Sequence, residues 1–454
     1  MSEVSLSRGA MTKRALSVAW PAMAESFFVA LAGLIDTMMV SALGPASVAA
    51  VGLTNQPKFI GLTIFFGINV AVSALVARRK GEKRQDNANE ILLTAIILAC
   101  IACAAVTVLF VVFAPWMMEV AGSNADTHEA SVEYFRIIMG GMFFNVITMV
   151  INSAQRGSGN TKLSMTTNLT SSVVNIVFNY LLIEGKYGFP RWEIKGAAIA
   201  TVLGTAVAAG MAVFSLFRPQ SYVKVSLMRD LKLRFSRACA KSIWHIAVNT
   251  SLENIAARIG FLATAMIAAR LGTEEFAAHN IGMNLLGLGF SFADGMQVAA
   301  VALSGEALGA KRKEDAKKYG SICQRIGFLI SLLLAAFLFF GGRWFYSLYF
   351  RDPGDAHIIE MGVLICRYIM VIVLLQISQI IFTGCLRAAG DVRYVLVAAI
   401  ISIAGIRTLS TLLMVNVLGW GLDGVWLGIL ADQASRFIMV SLRFKQGKWV
   451  DLKI

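Results

Sequence analysis

Two carboxylates lie in the first long apolar segment of the chain. Glu25 and Asp36 both fall within residues 15–41, where most side chains are aliphatic or aromatic. A carboxylate at the centre of a membrane-spanning helix costs roughly 2.5 to 3.5 kcal/mol, so each one needs a partner or a function. Such a group can bind a proton, a hard cation such as Na⁺, or the positive charge of a ligand.

The spacing of these two acids separates the sites they can form. Glu25 and Asp36 are 11 residues apart (36 − 25). In an α-helix this is almost three turns, which places both on one face but about 16 Å apart along the axis. They cannot share one small site, and we expect Asp36 toward the outer half of the membrane and Glu25 toward the inner half.

Carboxamides form stripes in two further apolar segments. Asn168, Asn175 and Asn179 follow one another at spacings of seven and four, and Asn145 and Asn152 are seven apart. These spacings put each set on one helical face. Because a carboxamide facing lipid would lack hydrogen bonds, the stripes must face other helices or a wet cavity. Interhelical contacts and a partnership with a buried carboxylate both remain open.

The second half of the chain carries its own intramembrane polar residues. Asp432 and Arg436 are one helical turn apart, and we interpret them as a snorkelling salt bridge near the cytoplasmic end of a helix. The other polar residues in these apolar segments are Glu253, Arg258, Asp294, Gln297, Glu306, Gln376 and Gln379.

The composition requires a membrane. The chain is 57% hydrophobic and 15% charged. Apolar runs of roughly 20 to 30 residues recur about twelve times, and each can cross a hydrocarbon core about 30 Å thick. We therefore predict an all-α polytopic protein with an N-terminal lobe at 1–217, a cytoplasmic linker with a short amphipathic helix at 218–241, and a C-terminal lobe at 242–454.

The chain is an internal repeat. Glu25 and Glu253 are 228 positions apart (253 − 25), and a later offset of 231 relates Arg156 to Arg387 and Gly159 to Gly390. Duplication predicts two pseudo-symmetric bundles of six helices, an organisation typical of alternating-access transporters. Asp36 has Thr264 as its repeat mate. We therefore expect ion coupling where the two copies differ.

The basic charge indicates topology. The formal net charge is +14, and Lys and Arg crowd the N-terminus, the linker and the C-terminal tail. By the positive-inside rule both termini face the cytoplasm of a multi-pass protein in the inner (plasma) membrane, with the basic loops near anionic lipid headgroups. Nucleic acid is not expected as a partner.

Enzyme chemistry is not supported. The 4 histidines are scattered without metal-ligand spacing, and the 6 cysteines lie in or beside apolar runs. The segment GSGNTK at 157–162 lacks the spacing of a phosphate-binding loop. We expect no catalytic residues and no cofactor, with the energy for transport supplied by an ion gradient.

Several segments resemble one family across the whole chain. GLIDTMMVSALGPASVAAVGL at 33–53, QRGSGNTK at 155–162, ARLGTEEFAAHNIG at 269–282, LRAAGDVR at 386–393 and RFKQGKW at 443–449 are similar to the multidrug and toxic compound extrusion (MATE) transporters. The resemblance implies two six-helix lobes opening as a V, a monomer, and export of cationic or amphipathic compounds in exchange for H⁺ or Na⁺.

The resemblance also implies sites. By position it assigns Asp36, Asn175, Asn179 and Thr201 to a cation-coupling site in the N-terminal lobe, with Asp36, Asn175 and Asn179 as ligands if the ion is Na⁺. It assigns Glu253 to a second site for substrate or a proton, and we add Glu25, Gln376, Asp294 and Gln297 as candidates there. Asn179 and Gln376 stand where other branches have aspartates, so the choice of ion stays open.

Two other functions would require features of their own in the sequence. A flippase for a lipid-linked saccharide or another lipid-like substrate would favour a strongly cationic cavity and more than twelve spans. The sequence shows neither feature clearly, but Lys58 and Arg258 keep this alternative open. A membrane-embedded enzyme or receptor would need a nucleophile or metal cluster, or a long soluble domain. Neither is visible in the sequence.

Overall fold

The computed structural model describes residues 7–349 and 356–452, and this part of the chain is helical with no strand. Sixteen α-helices follow one another along it. Their bounds are α1 Arg8–Ser41, α2 Pro45–Gly81, α3 Gln85–Val112, α4 Ala114–Val120, α5 Ala125–Gly140, α6 Met142–Gly157, α7 Thr161–Leu182, α8 Glu193–Ser215, α9 Val225–Asp230, α10 Arg237–Ala269, α11 Thr273–Gly309, α12 Lys313–Tyr349, α13 Ala356–Ala388, α14 Val392–Ala399, α15 Thr408–Leu412 and α16 Gly421–Gln446.

Local sequence signals account for several helix ends. Pro45 opens α2, where its missing N–H is no loss, and three basic residues close the same helix, where they complement the helix dipole. A capping box between Asn124 and Thr127 starts α5. Gly447 ends α16 with a left-handed backbone.

The long helices match the predicted membrane spans. Within the described residues, 10 helices are long and apolar enough to cross a membrane, and the bent pair α5 and α6 raises the number to 11. Helix α7 has 22 residues, but its carboxamide stripe keeps it out of that set. Counted with the others, α7 brings the number to the predicted twelve.

The span at Val392–Val417 is irregular. One π-helical stretch, Ile400–Arg407, lies between α14 and α15, and a second, Leu413–Val417, follows α15. Such wide turns are rare and occur often at functional sites. Here they bring Arg407 to the end of the first π-helical stretch.

The chain forms two compact units. The N unit is Ala24–Ser251, and the C unit is Met1–Met23 with Leu252–Ile454. This differs from the predicted division at 217 and 242, because α1 and α10 each continue from one unit into the other. The two division points are 228 residues apart (252 − 24), so the exchange follows the repeat.

Each exchanged segment packs into its unit. In the C unit, Met11, Ala15 and Ala19 of α1 belong to a buried core together with α11, α12 and α13. In the N unit, the hydroxyl of Ser251 on α10 donates to the carbonyl of Thr63 at 3.2 Å. Gly67 of α2 faces the same stretch so closely that a Cβ would lie 2.4 Å from the carbonyl oxygen of Ala247.

The predicted linker contains a short helix. Helix α9 has six residues and is flanked by irregular segments. Asn89 of α3 fixes the segment before α9, since its side-chain carbonyl accepts from the backbone N–H of Lys224 at 2.7 Å. The structure therefore ties the linker to the N unit through α3.

The repeat is visible in backbone geometry. Gly159 and Gly390, matched by the offset of 231, have φ values of 84° and 85°. Both follow the helix that carries the matched arginine. A left-handed turn at this point favours glycine because a Cβ would crowd the backbone.

We expect Gly159→Ala to destabilise the protein by about 1 kcal/mol, because alanine must adopt the same positive φ. The measurement is the midpoint of thermal unfolding of the purified protein in detergent. Gly210→Ala is the matched control, since Gly210 lies in α8 with open space around its Cα. Equal stability of both variants would show that the turn at Gly159 is not strained.

Candidate functional site

Asp36 meets the carboxamide stripe of α7. The side-chain N–H of Asn179 donates to Oδ1 of Asp36 at 2.5 Å. Asp36 lies in α1 and Asn179 in α7, and Asn179 is fully buried. The contact joins Asp36, whose repeat mate is Thr264, to an amide that carries no formal charge.

The neighbouring polar groups complete a site within the N unit. The side-chain N–H of Asn175 donates to the hydroxyl of Thr201 on α8 at 3.0 Å, and Asn175 also lies within hydrogen-bonding reach of Asp36. The buried phenol of Tyr134 on α5 adjoins Thr201. The structure thus brings together the four residues that the resemblance implied, and it adds Tyr134, which the sequence analysis had not identified.

The oxygen atoms around Asp36 are suitable ligands for a small cation. The side-chain oxygen Oδ1 of Asn179 is buried and has no hydrogen-bond partner among the described residues. A buried carbonyl oxygen without a donor is unusual and is satisfied by a proton donor or a cation. One carboxylate, carboxamide oxygens and a hydroxyl are the ligands that Na⁺ accepts, and a proton on Asp36 could satisfy the same oxygen.

The positive charge of a lysine interacts with the Asp36 carboxylate. Lys58 follows Pro57 inside α2, is partly buried, and interacts electrostatically with Asp36. Its ammonium lies 6.0 Å from the centroid of the Phe59 ring. The negative charge of Asp36 is therefore balanced at a distance and not by a direct guanidinium contact.

Glu25 lies in a separate polar cluster of the N unit. Its carboxylate accepts hydrogen bonds from Arg156, from the hydroxyl of Ser164 at 3.0 Å, and from the amide of Asn168 at 2.5 Å. Arg156 also donates from Nε to Ser164 at 2.7 Å. Glu25 is therefore buried and ion-paired. Helix α7 supplies hydrogen-bond partners to both acids of α1, Ser164 and Asn168 to Glu25 and Asn179 to Asp36.

Glu253 has the equivalent arrangement in the C unit. Arg387 donates from Nη2 to Glu253 at 2.7 Å and from Nη1 to the side-chain oxygen of Gln297 at 3.4 Å. The sequence offsets had related Glu25 to Glu253 and Arg156 to Arg387 without pairing them. The structure pairs Glu25 with Arg156 and Glu253 with Arg387. Because both members of each pair have repeat mates, the two sequence offsets taken together could have indicated this pairing.

The remaining candidates of the second half lie apart on two helices. Gln376 on α13 is fully buried, neither of its amide atoms has a hydrogen-bond partner within the described ranges, and its oxygen packs against Gly289 of α11. Asp294, also on α11, is exposed. Gln297 is joined to Glu253 through Arg387.

The predicted pair of Asp432 and Arg436 is confirmed at 2.8 Å, but its setting differs from the expectation. Asp432 is fully buried in α16, and Arg407 lies 3.7 Å from its other carboxylate oxygen. The pair is therefore part of a buried three-charge group and not a snorkelling surface bridge.

Comparison with known proteins shows the family of this chain. The MatE family model matches residues 21–181 and 250–413, which together are more than half of the chain. The chain belongs to the MatE family. Each matched segment starts just before one of the repeat-related glutamates, so the family model recognises both copies.

Relatives extend over almost the full MatE chain. A probable multidrug resistance protein NorM of Thermotoga maritima is 26% identical over 441 residues, covering 96% of this chain and 93% of its own. An uncharacterized transporter, YisQ, of Bacillus subtilis is 24% identical over 441 residues, covering 96% of this chain and 94% of its own.

Solved structures show the same fold. A MATE structure in complex with MaL6 has a TM-score of 0.88 at 25% identity, covering 96% of this chain and 97% of the other. A MOP superfamily transporter from Pyrococcus furiosus has a TM-score of 0.89 at 24% identity with the same coverage. This MatE chain is accordingly a multi-pass membrane transporter and not an enzyme.

The ion pair of Glu25 and Arg156 predicts a strongly non-additive double-mutant cycle. Glu25→Gln and Arg156→Gln should each destabilise the protein by up to about 3 kcal/mol, because each leaves a buried charge without its partner. The double variant should lose less than the two single losses combined. Thermal unfolding of the four proteins measures the coupling.

The exposed pair of Lys195 and Glu133, whose side chains are 55% and 38% accessible, is the matched control for this cycle. Its coupling should be much smaller than that of Glu25 and Arg156, since solvent screens exposed charges. Additive effects at Glu25 and Arg156 would show that the pair does not stabilise the fold.

Proposed function

We propose that this MatE protein exports cationic or amphipathic small molecules in exchange for H⁺ or Na⁺ by alternating access. The observation that carries the proposal is the contact between Asp36 and Asn179, which holds a carboxylate among carboxamide and hydroxyl groups inside the N unit. The names of the NorM relatives support a multidrug substrate range. The positive-inside pattern supports the inner membrane, with both termini in the cytoplasm.

The three acids of the proposal, Glu25, Asp36 and Glu253, differ in what already binds them. Glu25 and Glu253 each accept a hydrogen bond from an arginine, and their charge is therefore compensated within the protein. Asp36 accepts from an amide without a formal charge, and the positive charge that acts on it, Lys58, is more distant than a hydrogen-bonded arginine. A cation that arrives from outside gains most at Asp36, so we place ion coupling there.

The orphaned oxygen of Asn179 supports the same choice. Together with the carboxylate of Asp36 and the groups of Asn175 and Thr201, it offers oxygen ligands for Na⁺, or an acceptor for a protonated Asp36. In either case the ion neutralises Asp36 in one state of the cycle. The gradient then biases the exchange between states through that difference in binding.

Asp36→Asn should abolish ion-driven efflux of a cationic dye from proteoliposomes, because an amide neither releases a proton at working pH nor carries the charge that attracts Na⁺. The assay imposes a pH gradient and an Na⁺ gradient separately, which also identifies the coupling ion.

Asp126→Asn is the matched control for this assay, since Asp126 is an exposed acid at the start of α5. It should transport like the wild type. Efflux by Asp36→Asn equal to the wild type under both gradients would remove Asp36 from the coupling role.

Lys58→Gln should raise the apparent affinity for the coupling ion on the order of tenfold, the equivalent of about 1.4 kcal/mol, because it removes the positive charge that acts on Asp36. The measurement is the ion concentration at half-maximal dye efflux. Lys58→Arg keeps the charge and should leave that concentration near the wild-type value. A weaker ion affinity in Lys58→Gln would show that Lys58 supports ion binding and does not oppose it.

A further inference from the structure

The guanidinium of Arg407 is fully buried in the C unit. Arg407 ends the π-helical stretch Ile400–Arg407 in the middle of the span Val392–Val417. An arginine at this depth is costly and indicates a function unless its charge is matched. The function proposed above makes no use of it.

The hydrogen-bonding capacity of Arg407 is not used. In the described part of the chain, Nε, Nη1 and Nη2 all lack a hydrogen-bond partner. Asp432 Oδ2 lies 3.7 Å from Nη1, beyond hydrogen-bonding distance. The ring of Phe261 stacks on the guanidinium at 4.4 Å, which covers one face of the plane and leaves the N–H groups at its edge.

The charge around Arg407 is not balanced. Asp432 already accepts a hydrogen bond of 2.8 Å from Arg436, and Arg436 also donates to Ser402 at 3.2 Å. Two guanidiniums therefore share one carboxylate, which leaves this buried group with one excess positive charge. A buried charge without compensation is strongly unfavourable.

Other polar atoms near Arg407 also lack partners. Thr411 lies one turn further along the chain, and its hydroxyl is buried with no hydrogen bond. His279 lies close enough to interact electrostatically with Arg407, and its ring is 5.5 Å from that of Trp426. Nδ1 of His279 and Nε1 of Trp426 are likewise unpartnered. The guanidinium and the indole only donate, whereas the hydroxyl and a neutral imidazole can each donate and accept. The five N–H groups of the guanidinium therefore leave this region with donors in excess of acceptors.

We propose that Arg407 binds a monovalent anion in the interior of the C unit. The anion supplies the missing negative charge and accepts hydrogen bonds from the edge of the guanidinium, where Asp432 is too distant to do so. Chloride and the carboxylate of an organic ligand share this chemistry. In this arrangement Asp432 competes with the anion for Arg407.

The test is the thermal unfolding midpoint of the purified full-length protein in detergent, titrated with potassium chloride or potassium acetate in the absence of Na⁺. For the wild type we expect a saturable rise of about 2 to 4 °C when the anion is at roughly ten times its Kd. Chloride more effective than acetate identifies an inorganic anion, and acetate more effective than chloride identifies a carboxylate ligand.

Variants separate this site from general salt effects. Arg407→Gln should lose the saturable rise. Asp432→Asn should show it at several-fold lower anion concentration, since the competing carboxylate is gone, whereas a purely structural ion pair would give a destabilised protein without that gain. Arg14→Gln removes a different arginine of the C unit, one paired with Glu306, and should keep the wild-type response.

The proposal does not depend on the coupling site, so Asp36→Asn should also keep the response to the anion. Absence of any saturable rise in both the wild type and Asp432→Asn would overturn it and assign the donors of Arg407 to ordered water. An undiminished response in Arg407→Gln would overturn it equally, because the anion would then bind elsewhere.

Discussion

The cost of holding a charge inside the membrane governs this structure. Three of the carboxylates described above have an arginine partner: Glu25 binds Arg156, Glu253 binds Arg387, and Asp432 binds Arg436. Asp36 binds an amide instead of a guanidinium. Because desolvation makes an uncompensated charge unfavourable, we propose that the difference in partners makes Asp36 the acid available to an ion from outside. The same cost applies to a buried positive charge. Arg407 and Arg436 share the single carboxylate of Asp432, so one positive charge there lacks a partner among the described residues.

Duplication explains where the pairs lie. The glutamate and arginine pairs occupy matched positions in both copies, and the chain passes between its two units just before each glutamate. These pairs belong to the shared scaffold. Asp36 has Thr264 as its mate, and that threonine donates to the carbonyl of Gly260 within its own helix. We therefore propose that ion coupling is concentrated where the copies differ.

The membrane spans and the residues around Asp36 could be predicted from the sequence, whereas the ion pairs and the boundary between the two units could not. The spans follow from apolar length, and Asp36, Asn175, Asn179 and Thr201 follow from family resemblance. The pairing of Glu25 with Arg156 was missed because periodicity along one helix does not say which neighbouring helix faces it. The exchanged ends of α1 and α10 were missed because apolar composition is the same on either side of the division point. The sequence pattern predicts Asp432 near the membrane surface. Its burial beside Arg407 depends on how two helices pack, which the sequence of one helix does not show.

The central claim is that Asp36 alone among the acids of the two repeats exchanges its cation. Its most direct test is the number of coupling ions released when a cationic substrate binds to the purified protein, measured as protons in weakly buffered solution and as radioactive Na⁺ in parallel. The account predicts that release of one of these ions is retained in Glu253→Gln and lost in Asp36→Asn. Wild-type release from Asp36→Asn, with loss in Glu253→Gln, would contradict it.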